Sequence, residues 1–419
     1  MEFSTFNFDT AIAAGITAAG YTVPTPIQAQ AIPPILENKD VMGLAQTGTG
    51  KTAAFALPIL QHLMAGKRGH VRTLVLAPTR ELAEQTHETF RSLGRRTGLR
   101  CASIYGGVNI NTQIKKLRSE VDIVVACPGR LLDHINRRTI DLSNLEVLVL
   151  DEADRMLDMG FLPDIKKIIK LLPRSRQTML FSATMPTDIN KLAKDILKSP
   201  ITLQVDHSAP ANTVTHALYP VDQSLKGGLL LKLLSKTDTE SVLVFTRTKH
   251  RAKRLGVQLE KAGYRAASLQ GNLSQNKRQE ALNGFRDGRY QVLVATDIAA
   301  RGIDVSCISH VINFDMPDTT DAYTHRIGRT GRAAKTGDAF TFITREDEPI
   351  VRSIERILGE KIERCTLECF DYKPAPSHNT GMERAPREPQ PWKKKKKPMT
   401  WTNVSALSYK KKPARKAAM

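Results

Sequence analysis

The chain has 419 residues, 41% of them hydrophobic and 5% aromatic, with 62 Lys and Arg against 42 Asp and Glu, for a net charge of +20. That length exceeds one ordinary domain of ~100–200 residues and suits two with an added tail. No apolar run approaches the ~18 residues of a membrane span, so no membrane partner is expected.

The N-terminal segment MEFSTFNFDTAIAAGITAAG lacks the basic stretch followed by an apolar one that marks a secretory signal, and a cytoplasmic location is expected. The five cysteines, Cys101, Cys127, Cys307, Cys365 and Cys369, show no paired metal or redox spacing and read as structural thiols. The positive excess calls for a polyanionic partner. From Asp371 onward there are thirteen Lys and Arg against three Asp and Glu, so about half of the excess lies in the last 49 residues.

Short Val/Ile/Leu runs recur in chain order: TLVLAP from 73, DIVVACP from 122, VLVLDEAD from 147 and TMLFSAT from 178. Such continuous apolar runs are typical of parallel strands buried on both faces. Helical spacing from Glu81 to Leu93 and from Pro163 to Leu172 separates them, and alternating β and α predicts a doubly wound sheet. A second series follows, SVLVFT from 241, AASLQG from 266, VLVATD from 292, HVINFD from 310 and AFTFI from 339. The predicted organisation is an N-terminal α/β domain over 1–207, a linker over 208–221, a second α/β domain over 222–370 and a disordered basic tail over 371–419. The linker is expected because Val205 to Val221 carries Pro210, Pro220, Ser208 and Asn212 and no helical period. The tail has too few aliphatic residues to offset the entropy of ordering it.

The segment DVMGLAQTGTGKTAAFALPIL places a strand, a glycine-rich turn and an apolar helix in succession. Ala45, Gln46, Thr47, Gly48, Thr49 and Gly50 form the candidate phosphate cradle. Lys51 reaches for the β and γ phosphates of ATP, and Thr52 is the candidate Mg2+ ligand. The usual pattern starts with glycine, where this chain has Ala45. One hundred residues on, a strand ends at Asp151 and Glu152. One acid suits Mg2+, and the other suits orienting and deprotonating water. The bland alternative is a pair of acids capping the next helix. In the second series, HRIGRTGR from His325 to Arg332 offers guanidinium groups for a transferring phosphoryl, the alternative being a solvated basic face. No phosphate loop stands in the second series, so one ATP serves two domains.

With PTPIQ at Gln28, AQTGTGKT, PTREL from Pro78, Gly106-Gly107, CPGR from Cys127, DEAD from Asp151, SAT from Ser182, VFTRT from Val244, QNKR from Gln275, ATDIAARGID from Ala295 and HRIGRTGR, the chain resembles the DEAD-box RNA helicases from Phe3 to about Phe370. The resemblance implies two tandem RecA-like domains that close on RNA and ATP, bend one strand to separate short duplexes, and release RNA after hydrolysis. It gives Gln28 to adenine, Phe3 to stacking on the base, Asp304 to the ribose, and Arg329 and Arg332 to the arginine fingers. It places Pro78, Thr79, Arg80, Gly107, Gly129, Arg130, Arg278 and Thr296 on the RNA backbone. Asp154, Ser182, Thr184 and His325 become the network coupling ATP to closure. Cys127 departs from the family's usual Thr and removes a hydroxyl near a phosphate.

The short N-terminal flank and lysine-rich extension look most like the bacterial RhlE-like branch, which implies ribosome assembly or RNA decay as partner processes; a monomer is expected. In the tail, Lys393 to Lys397 and Lys410 to Lys412 flank Trp392 and Trp401, a pattern suited to holding single-stranded RNA. Three rivals are a DNA-translocating helicase, a non-catalytic RNA scaffold and a nucleotide kinase. A scaffold need not keep Lys51, Asp151, Glu152 and Arg332, and a kinase is disfavoured by one site shared between two sheets.

Overall fold

The computed structural model describes residues 2–45, 48–204, 214–237, 239–300, 308–331 and 337–373. Seven strands form the first sheet: β1 Val41–Leu44, β2 Thr73–Leu76, β3 Cys101–Ile104, β4 Ile123–Ala126, β5 Val147–Leu150, β6 Gln177–Ser182 and β7 Ile201–Gln204. Every pair is parallel, in the order β3-β4-β2-β5-β6-β1-β7. Side chains alternate across a strand, and each face acquires its own core. Val75, Val147 and Val149 join Phe55, Phe90 and Phe181 on one side. Leu74, Leu76, Leu148 and Leu150 pack with Met156, Ile165 and Ile189 on the other. Helices on both faces explain why these strands read as unbroken apolar runs.

The second sheet repeats the plan: β8 Val214–Pro220, β9 Val242–Phe245, β10 Ala266–Leu269, β11 Val292–Ala295, β12 His310–Asn313, β13 Gly337–Ile343 and β14 Glu363–Arg364. Its order is β10-β11-β9-β12-β13-β8-β14, the first sheet's order with every strand advanced by seven. The two RecA-like units are therefore topological copies.

Two boundaries differ from the sequence reading. Val214–Pro220, assigned to the linker over 208–221, is β8 and pairs along its whole length with β13. Val214, Ala217, Leu218 and Tyr219 are buried, but His216 and the closing Pro220 break the apolar pattern that would have announced a strand; a proline is tolerated at the strand's end. The rest of that linker, 208–213, lies outside the described residues. At the other end, the packed chain passes residue 370. The Phe370 and Tyr372 rings lie edge to face at 4.9 Å, and the Tyr372 hydroxyl accepts from the Leu367 N–H at 2.9 Å. The predicted disordered tail from 374 onward is outside the described residues.

Candidate active site and nucleic-acid interface

The phosphate turn follows β1. Gly48 and Gly50 have φ of 88° and 93°, a left-handed conformation that side-chain-bearing residues resist. A Cβ on Gly50 would stand 2.6 Å from Gln28 Nε2. The helix Lys51–Met64 begins at once, with Gly50 as its N-cap. Lys51 is 5% exposed, and its Nζ donates to the Ala45 carbonyl at 2.8 Å. Gln46 and Thr47 lie outside the described residues.

Gln28 is used within the chain. Its Oε1 accepts from the Thr25 N–H at 2.9 Å, closing a capping box at the helix Pro26–Leu36, and its Nε2 donates to the Gly50 carbonyl at 3.1 Å. It thus ties a helix start to the phosphate turn. Phe3 is buried, stacked on Tyr21 with centroids 6.2 Å apart and edge-on to Phe6.

Asp151 and Glu152 follow β5 and are 2% and 3% exposed. Asp151 Oδ1 and Glu152 Oε1 are buried without a hydrogen-bond partner. Burial pushes the Asp151 carboxyl up to about 6; Lys51 opposes that rise and the Glu152 charge adds to it. Glu152 adopts φ 53° and ψ 54°, left-handed for a non-glycine residue, and such strain recurs at functional sites. Its Oε2 accepts from Arg155 Nη1 at 3.0 Å. Sequence reasoning passed over Arg155, although its position three residues past Glu152 on a helix was the available signal.

A raised carboxyl pKa means that ionising Asp151 costs folded-state stability. Below the ordinary value of 3.8 both states are protonated; as pH rises to about 6 the unfolded chain ionises first and stability falls, and above that the penalty is complete. Asp151→Asn should therefore raise Tm by a few degrees at pH 7.5, from on the order of 2 kcal/mol, and change it little at pH 4. Melting curves of the nucleotide-free protein at both pH values test this; an equal shift at both, or a loss at pH 7.5, contradicts it.

The predicted coupling residues Asp154, Ser182 and Thr184 are joined directly. Asp154 Oδ2 accepts from the Ala183 N–H at 3.1 Å, the Thr184 N–H at 2.8 Å and the Thr184 hydroxyl at 3.1 Å. Ser182 Oγ accepts from the Asp154 N–H at 3.2 Å and donates to the Thr184 carbonyl at 2.7 Å. Across from them, His325 and Arg329 line a cavity of about 490 Å³ shared with Asp154, Arg155 and Thr184. Burial, reinforced by Arg155, pulls the His325 pKa down to about 4, so the ring is neutral near pH 7.

The helix holding His325 stops at Ile327 with Gly328 as its cap, which sets Arg329 in the following turn. Arg326, part of the same basic segment, serves the fold: it grips Asp297 at 2.6 and 2.7 Å and donates to the Asp315 carbonyl at 2.7 Å. Asp304 and Arg332 lie outside the described residues.

Pro78, Thr79, Arg80, Gly107, Gly129, Arg130 and Arg278 line a second cavity of about 600 Å³, with residues of both domains in its wall. Thr296, just beyond β11, is not in that wall; its carbonyl accepts from the Ala299 and Ala300 N–H groups. Arg278 donates to Glu81 Oε1 at 2.7 and 3.0 Å, and Arg80 Nη1 donates to Gln275 Oε1 at 3.0 Å. The arginines of the two domains thus hydrogen-bond across the gap. Glu81 and Gln275 stand in the quoted PTREL and QNKR segments, yet no role was assigned to either.

Gly107, at φ 82°, leaves room for the Arg80 guanidinium, which a Cβ there would meet at 2.0 Å. Arg130 Nη1 donates to the Val108 carbonyl at 3.1 Å and Gln113 Oε1 at 3.3 Å. Burial pushes the Cys127 thiol up to about 12, which keeps it neutral in the same wall.

Family models match both halves: DEAD/DEAH box helicase over 25–192 and Helicase conserved C-terminal domain over 226–334. The chain is 44% identical over 365 residues to the DEAD-box ATP-dependent RNA helicase CshA of Bacillus subtilis, covering 87% of this chain and 74% of that one. It is 42% identical over 373 residues to the ATP-dependent RNA helicase DeaD of Buchnera aphidicola, covering 89% of this chain and 62% of the relative. Among solved structures, S. cerevisiae Dbp5 bound to RNA and ADP BeF3 superposes with a TM-score of 0.79 at 30% identity, over 87% of this chain and 95% of that one. A DEAD box protein from Methanococcus jannaschii gives 0.52 at 38% identity, over 87% of this chain and 99% of that one.

Proposed function

The chain belongs to the DEAD-box ATP-dependent RNA helicases, and on that premise we propose that one ATP, held on the first domain, is hydrolysed when the second domain supplies its arginines, with RNA along the cavity at Arg80 and Arg278. Lys51 takes the β and γ phosphates, Glu152 orients and deprotonates the attacking water, and Arg329 with Arg332 stabilises the transferring phosphoryl. The observation that carries this reading is the pair of partnerless buried oxygens, Asp151 Oδ1 and Glu152 Oε1, in the field of Lys51.

The donor set also fits Mg2+: a hydroxyl at Thr52 and a carboxylate at Asp151 whose free oxygen has no protein donor. When bound, the ion neutralises charge on the phosphates. Gln28 signals the state of the nucleotide pocket through its bond to Gly50, besides any contact with adenine. Phe3 and Asp304 remain the base and ribose candidates.

RNA is held by its backbone. Pro78, Thr79, Gly107 and Gly129 leave room for the strand, Arg80, Arg130 and Arg278 pair with phosphates, and base identity goes unread. Arg278 leaves Glu81, and Arg80 leaves Gln275, as phosphates arrive. Asp154, Ser182, Thr184 and His325 carry closure between the two cavities. RNA and ATP then bind cooperatively, with a coupling of ~1–3 kcal/mol, or ~5–150-fold. RNA affinity measured with and without a non-hydrolysable ATP analogue tests this. Arg329→Ala should erase most of the difference, and equal affinities in the wild type would count against closure.

We further propose that the first domain runs over 1–207 and the second over 222–370 with β8 added, and that the protein is a cytoplasmic monomer working on ribosomal precursors or in RNA decay. Within the family, the lysine-rich extension favours an RhlE-like member, while the relatives described above carry the CshA and DeaD names. The extension tethers RNA; removing residues 371–419 should weaken RNA binding mainly at low salt and spare saturated turnover, and unchanged salt dependence of binding would refute the tether.

A further inference from the structure

The helix Ile110–Leu117 follows the Gly106-Gly107 turn, and its only buried residue is a polar one, Gln113, at 4% exposure. A helix that needed no more than anchoring would bury an apolar side chain there, because a buried carboxamide is costly unless its groups are hydrogen-bonded. Gln113 makes three bonds. Its Nε2 donates to the Tyr105 carbonyl at 2.8 Å, and its Oε1 accepts from Arg130 Nη1 at 3.3 Å and from His134 Nε2 at 3.1 Å. The amide can face only one way: a carbonyl accepts and a guanidinium donates, so the nitrogen turns to Tyr105 and the oxygen to Arg130.

His134 is fully buried and stands four residues after Arg130 on the helix Pro128–Asn136, so the two share a face. Since Gln113 Oε1 only accepts, the ring's Nε2 carries the hydrogen. Burial, then the Arg130 charge, pulls the His134 pKa down, so the ring is neutral and its Nδ1 accepts from the Thr139 hydroxyl at 2.8 Å. The ring fixes the amide, and the amide fixes the guanidinium. Both hydrogen bonds of Arg130 leave from Nη1, the second going to the Val108 carbonyl at 3.1 Å, while its Nε faces Asp133 at 3.5 Å. Nη2 is left for a phosphate in the cavity that Arg130 shares with Arg80 and Gly107. Gln113 and His134 stand behind that wall rather than in it.

We propose that Gln113, backed by His134, is a positioning residue that holds the Arg130 guanidinium ready for the RNA backbone. The inference rests on the reading of that cavity as the RNA path. A long arginine side chain loses rotamer freedom when it pairs with phosphate, and one already held in place loses less on binding. Removing the hold should therefore weaken RNA binding and leave the ATP chemistry alone, since neither residue lies near Lys51, Asp151 or Glu152 in the hydrogen-bond network described above.

The test is RNA-stimulated ATP hydrolysis by the full chain, with KM for RNA, KM for ATP and kcat measured separately. Gln113→Met, close in length but without donor or acceptor, should raise KM for RNA ~5–10-fold, part of the contribution of one charge-assisted bond, with kcat at saturating RNA and KM for ATP within about twofold. His134→Leu should do the same, and His134→Gln, which can return an N–H toward Gln113 Oε1, should recover most of the loss; this pair decides the matter if Gln113→Met does not fold. In an Arg130→Ala background Gln113→Met should add less than about twofold, because residues acting through one another are not additive. Arg130→Ala raising KM for RNA while Gln113→Met and His134→Leu leave it unchanged, or fully additive losses in the double variant, would overturn the inference and leave the RNA path standing. Arg130→Ala without effect on KM for RNA would overturn both.

Discussion

Glu152→Gln should lower the RNA-stimulated turnover number by ~10²–10⁴-fold, the contribution ordinarily made by a positioned general base, while ATP and RNA affinities stay within a factor of about three. Glu152 has two separable oxygens. Oε2 accepts from Arg155 at 3.0 Å, and Oε1 is buried without a partner. The amide oxygen can still accept from Arg155, so the left-handed backbone at 152 and the start of the helix Ala153–Asp158 should be undisturbed. What changes is the free position, where an N–H₂ replaces a lone pair and no proton can be taken from water. Single-turnover hydrolysis beside equilibrium binding separates the two effects. Turnover within a factor of a few of wild type would remove Glu152 from the chemistry, and a matching loss of ATP affinity would make it a binding residue.

Lys51→Ala should act at the earlier step and weaken ATP binding ~100-fold, from the loss of one or two charge-assisted bonds to phosphate at ~1.5–3 kcal/mol each. The lysine has a second role. It is the cation that opposes the rise of the Asp151 pKa under burial, so its removal leaves Asp151 buried beside Glu152 without its opposing charge, while Glu152 keeps Arg155. Asp151 should then stay protonated to higher pH, and magnesium affinity in the presence of nucleotide should fall along with ATP affinity. RNA binding without nucleotide should be unchanged, since Lys51 is absent from the wall shared by Arg80 and Arg278. Titrations with a fluorescent ATP analogue at several magnesium concentrations measure both effects; unchanged nucleotide affinity would be the failing result.

The chain's local sequence determined a great deal. Runs such as VLVL before Asp151 and VLVA before Thr296 read as strands covered on both faces, because they are short and rich in valine, and four consecutive apolar residues leave no polar side for solvent. Gly48 and Gly50 beside Lys51 specified a phosphate turn for the same kind of reason: backbone geometry and charge are written in residue type at fixed spacing. The tertiary structure decided what depends on partners distant in sequence. β8 is a strand because Gly337–Ile343 pairs with it more than a hundred residues away, and its own residues lack the pattern. Gln28 is engaged because Gly50 and Thr25 converge on it, and Arg326 is a scaffold residue because Asp297 and Asp315 meet it. Glu81 and Gln275 matter only because the domains bring Arg278 and Arg80 against them. The common strand order of the two sheets was likewise invisible in local sequence, since order is set by which strands pair across long separations.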